Sequence, residues 1–117
     1  MSTNSTVSIE QADGTVQTIY VHWDGYIEGG VGEALQKLYS TPGQVQAIVD
    51  EGDHSCILPD GRIESYMDMR EEYCPPTTSK SIFEAINDLG QGHNYFMRLN
   101  GKLTCQDING RIREILL

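Results

Sequence analysis

The chain has 117 residues, 38% apolar and 21% charged, a balance that suits one globular core and excludes wholesale disorder. Its 17 acidic residues outnumber 8 Lys and Arg for a net charge of −9, so direct binding to DNA or RNA, which needs cations against phosphates, is disfavoured. The start, MSTNSTVSIE, has neither the basic nor the apolar part of a secretion signal, and no apolar run is long enough to span a bilayer; the expectation is a cytoplasmic protein with no membrane partner.

Residues 1–6 are expected to be a flexible N-terminus and 7–117 a single domain. Asp13-Gly14 is a hairpin turn pair, and the β-rich stretches TVSIEQ and TVQTIYVHW on either side predict an N-terminal hairpin. Ile19, Val21 and Trp23 alternate with Thr18, Tyr20, His22 and Asp24, which predicts one face burying the aliphatics and the indole. Asp24-Gly25 ends the strand, and EGGVG lets the chain swing into a helix striped by Val31, Ala34, Leu35 and Leu38. Thr41, Pro42 and Gln44 mark the capped start of a second helix, with Val45, Ile48 and Val49 as its stripe and Gly52 as its end.

From residue 53 to 80 no period is visible. SCILPDGRIESYM suggests a short hairpin around Asp60-Gly61, and REEYCPPTTS reads as a loop because its two prolines cannot donate ladder bonds. A third helix is framed by Ser81 and Glu84 at its start and Gly90 at its end. Asn100-Gly101 and Asn109-Gly110 then predict a three-stranded meander, although Ile112, Ile115 and Leu116 also suit a helix. The expected fold is α+β: an antiparallel sheet, made of the N-terminal hairpin and the C-terminal meander, with about three helices packed on one face.

Cys56, Cys74 and Cys105 form no C-x-x-C pair, and an odd number of thiols fits a reduced compartment; neither a metal nor a cofactor is expected. The aspartate and glutamate residues Asp50, Glu51, Asp53, Asp60, Glu64, Asp68, Glu71 and Glu72 stand against only Arg62 and Arg70, which makes 50–72 the most negative part of the chain. Such a segment either keeps the protein soluble or meets a basic surface on another protein. Tyr66, Met67, Met69 and Tyr73 lie within it and are either anchors or buried residues. His22 and Asp24, with Asp53 and His54, offer an alternative, a small metal-dependent enzyme, but their spacing matches no catalytic motif. The glycines of GGVGEAL are flanked by Glu28 and Glu33, which disfavours phosphate and leaves a tight turn.

The stretch ADGTVQTIYVHWDGYIEGGVGEALQKLYSTPGQVQAIVDEGDHS resembles a family of small proteins encoded by phages, prophages, plasmids and other mobile elements. Its members open with a hairpin of the form DGT…IYCHWDGYPEGVG, and the likeness runs from Val7 to Ser55. This chain departs from the pattern in having Ile27 for the usual proline, an extra glycine, and Met69 and Arg70 where members carry Arg-Gly. The resemblance implies an accessory product of a mobile element, and proteins of that kind resemble inhibitors of host defence, anti-CRISPR proteins among them. The expectation is therefore a non-enzymatic inhibitor that binds a host protein or nucleoprotein complex with a basic surface. Its contact residues would be the eight carboxylates above with Tyr66 and Tyr26. A homodimer paired through edge strands of the meander is the further alternative.

Overall fold

The computed structural model describes residues 4–65, 74–107 and 109–114. Its elements are β1 (Ser5–Glu10), β2 (Val16–Val21), α1 (Val31–Lys37), α2 (Pro42–Asp50), β3 (His54–Ile57), β4 (Ile63–Ser65), β5 (Thr77–Ser79), α3 (Ile82–Leu89), β6 (His93–Met97), β7 (Leu103–Gln106) and β8 (Ile112–Glu114). β1 already begins at Ser5, ahead of the Val7 boundary. The turn glycines 14, 61, 101 and 110 all have φ between 83° and 94°, as the Asx-Gly pairs require. The α2 cap forms as expected: Thr41 Oγ1 accepts the Gln44 N–H at 3.3 Å, and Gln44 Oε1 accepts the Thr41 N–H at 3.2 Å. At α3 only half of the box forms, because Ser81 Oγ accepts the Glu84 N–H while the Glu84 carboxylate takes the Lys80 N–H instead.

The sheet is mixed, which corrects the antiparallel expectation. Eight strands lie in the order β4-β3-β2-β1-β6-β7-β8, with β5 also paired to β2. The N-terminal hairpin and the meander are antiparallel within themselves, but they join through a parallel pairing of β1 with β6. A second parallel contact sets Val21 of β2 beside His54 of β3. The physical reason lies in the connections: α1 and α2 separate β2 from β3, and most of the chain separates β1 from β6, so a crossover long enough for parallel pairing is present in each case. Thr77–Ser79, within the segment read as a loop, is a strand that pairs antiparallel with Val16–Thr18. The prolines stop short of it.

The helices also divide between the two faces rather than sharing one. Val7, Ile9, Ile19, Val21, Tyr95 and Met97 point to one face and pack with Val31, Ala34 and Leu35 of α1 and Val45, Ile48 and Val49 of α2. The opposite face is polar yet buried at its centre. There Thr6 Oγ1 donates to Asn94 Oδ1 at 2.7 Å, and Ser8 and Thr18 share a hydrogen bond of 2.8 Å. The third helix, α3, lies over this face against β1, β2 and β5, with Ala85 its fully buried residue. Among the described residues no helix is long and apolar enough to cross a membrane.

Candidate interaction site

The segment from His22 to Gly30 joins β2 to α1, and its backbone is held from several sides. The parallel contact with β3 continues past the strand, where His22 N–H donates to His54 O at 3.1 Å and Trp23 N–H to Ser55 O at 2.8 Å. Asp24 then takes φ 54°, the one non-glycine in the left-handed region among the described residues. That conformation costs an L-residue about 1–2 kcal/mol, least for Asp and Asn. It lets the Asp24 carbonyl accept from Val31 N–H and the Tyr26 carbonyl from Gly32 N–H, both at 3.0 Å. From beneath, the buried Tyr95 hydroxyl donates to Gly25 O at 2.7 Å. Gly30 is needed because a Cβ there would lie 2.1 Å from Asp24 O.

This fixed backbone turns aromatic side chains outward. Trp23 is 44% exposed and Tyr26 43%. The expectation that the indole is buried with Ile19 and Val21 is thus overturned: β2 ends at Val21, and the alternation that would turn Trp23 inward ends with it. His22 braces the indole edge-on, with ring centres 4.5 Å apart, and its Nδ1 meets the Tyr20 hydroxyl at 2.8 Å.

The predicted contact residues fall into three groups. Asp50, Glu51, Asp60, Glu64 and Tyr26 are exposed. Asp53 is half-buried, and its carboxylate serves the fold by accepting the Tyr20 N–H at 2.9 Å. Tyr66, Asp68, Glu71 and Glu72 lie outside the described residues. Of the exposed carboxylates, Glu64 stands next to the aromatic loop: its Oε2 is 3.4 Å from Ser55 Oγ, and Ser55 is the residue whose carbonyl holds Trp23. Burial raises the Cys56 thiol, helped by the negative charge of Glu64 and, to a smaller extent, of Asp24, against the opposing charge of Arg62. Cys56 therefore stays a protonated, unreactive thiol beneath this surface.

The alternative enzyme residues are drawn into separate tasks. His54 is fully buried between Gly52 O, 2.7 Å from Nδ1, and Glu51 Oε2, 3.2 Å from Nε2. Both partners are acceptors, so the two ring nitrogens are occupied within the fold. His22 bonds Tyr20, Asp53 holds the backbone of β2, and Asp24 forms the turn. Among the described residues no group of three His, Cys, Asp or Glu side chains is close enough to hold a metal ion. A groove of about 290 Å³ opens between α2 and β4, lined by Tyr39, Gln44, Ala47, Ile48, Glu51 and Ile63.

Sequence reasoning missed Trp23 as an exposed group and Tyr95 as the tether below it. The signal for Trp23 was its position: a residue directly before Asp-Gly lies where the strand must end, so its alternation carries no information about burial. Nothing in NYFMRLN singles out Tyr95, since its partner lies in another part of the chain. No family model, curated protein or solved structure matches this chain.

Proposed function

We propose that the chain is a non-catalytic binding protein that blocks a host nucleoprotein machine, laying its acidic surface on the basic groove where that machine holds nucleic acid. One observation carries this reading: the carboxylates Asp50, Glu51, Asp60 and Glu64 are exposed, as are the rings of Trp23 and Tyr26, on a chain of net charge −9, and Glu64 stands beside the segment that carries Trp23. Aromatic anchors within a charged rim are the composition of protein-contact surfaces, and a strong negative field speeds encounter with a cationic partner.

Affinity capture from a bacterial lysate tests the reading. The expected partner is a nucleic-acid-binding protein released both by excess single-stranded DNA and by about 0.5 M salt, where the screening length is about 4 Å. A complex indifferent to salt and DNA, or direct binding of the chain to DNA, defeats it.

A further inference from the structure

We propose that the His22–Gly30 loop is an arginine-receiving site, in which the partner's guanidinium lies on the Trp23 indole and pairs with the carboxylates around it. This rests on the binding reading above and specifies the residue type recognised. Three observations lead to it. The indole is exposed although its own backbone N–H is tied to Ser55 O at 2.8 Å, so the ring is offered from a fixed position rather than from a mobile loop. His22 packs edge-on against it at 4.5 Å between centres, which limits the directions in which the indole can turn.

Charge around the ring then selects the ligand. Asp24 follows Trp23 in the chain, the exposed Glu28 lies on the same loop, and the Glu64 carboxylate is 3.4 Å from Ser55 Oγ. Among the described residues Arg62 is a cation whose charge reaches this region, through Cys56, and it is shared with Asp60, with Nη2 3.7 Å from Oδ2. A flat, weakly hydrated guanidinium lies on an aromatic face while its edge meets a carboxylate, and it gives up less hydration in doing so than the compact, strongly hydrated ammonium of Lys. Binding on a loop that is already ordered also avoids much of the entropy of fixing it.

The test uses the intact chain with hexa-arginine and hexa-lysine as probes, read by the emission of Trp23, the single tryptophan, and independently by calorimetry. The proposal expects hexa-arginine to change the emission saturably and to bind about tenfold more tightly than hexa-lysine. Trp23→Leu should remove most of that preference in calorimetry. Asp24→Asn, which keeps a residue tolerant of the left-handed turn, should weaken hexa-arginine while the melting temperature holds; Tyr26→Ser serves as the second exposed-ring variant. Equal binding of the two peptides, unaffected by Trp23→Leu, overturns the arginine site and leaves the acidic docking surface standing. Failure of both peptides to bind overturns both.

Discussion

Replacing Tyr95 by Phe removes one oxygen atom and tests how the interaction loop is held. The hydroxyl is buried and donates to Gly25 O at 2.7 Å, and Gly25 is itself buried. Losing the donor leaves that carbonyl poorly satisfied, a loss of about 1–3 kcal/mol. In a domain of this size each kcal/mol lowers Tm by roughly 3–6 °C. The ring stays in place, so the core packing of Tyr95 with Val7 and Cys105, its register neighbours, should persist. Thermal melting gives the total, and amide hydrogen exchange locates it. Val31 and Gly32, whose N–H groups bond Asp24 O and Tyr26 O, should exchange faster, while amides in the β1–β2 hairpin slow down or speed up only as the global stability changes. An unchanged Tm refutes the tether outright. A lowered Tm with Val31 and Gly32 no more affected than the hairpin shows that Tyr95 stabilises the core and not the loop.

The adjacent glycines 29 and 30 should respond differently to alanine. At Gly30 the new Cβ meets Asp24 O at 2.1 Å, so Gly30→Ala should cost about 1–3 kcal/mol or more in urea unfolding, whereas Gly29→Ala enters open space at φ 75° and should cost only the backbone strain of about 1–2 kcal/mol. Equal losses, with the loop amides equally protected in both variants, would show that the close approach of Asp24 is unimportant. Glu10 is held below its ordinary pKa of 4.5 first by the Leu99 N–H and then, against the opposing effect of burial, by Arg98. Because the folded value is the lower one, this stabilisation is complete above about pH 4.5 and fades as pH falls through the folded value. Unfolding measured across that range should therefore show a flatter acid limb for Glu10→Gln than for the parent; superimposable limbs would exclude the contribution. Cys56, buried and with its thiol pushed up, should resist alkylation at neutral pH until the protein unfolds, and rapid labelling of the native chain at this position would contradict its placement.

What could be read in the sequence was local. The Asx-Gly pairs placed the β1–β2, β3–β4, β6–β7 and β7–β8 turns, and Thr41-Pro42 with Gln44 placed the start of α2, because in each case a few adjacent residues fix the backbone. The parallel pairing of Val7 with Tyr95 was invisible, since a strand's own residues do not specify which distant edge it will meet. Thr77–Ser79 became a strand by lending its backbone to β2 and buries only Ser79, so it carries no apolar alternation to detect. Helices on both faces were missed for a related reason. Thr6, Ser8, Thr18 and Asn94 look like a solvated face, but they satisfy one another, or Gln91 and Gln106, and so can be covered. At the site, acidity was plain from composition, while Asp53 looked like a surface charge until its bond to Tyr20 N–H placed it inside the fold.

A single quenching experiment on Trp23 reads both its exposure and the sign of the field around it. Acrylamide, caesium and iodide differ in charge but all require contact with the ring. The structure predicts ready quenching by acrylamide, with caesium markedly more effective than iodide at low ionic strength and that difference shrinking as salt is added. An indole shielded from all three quenchers, or one that iodide reaches as easily as caesium, would contradict an outward-facing aromatic anchor in acidic surroundings.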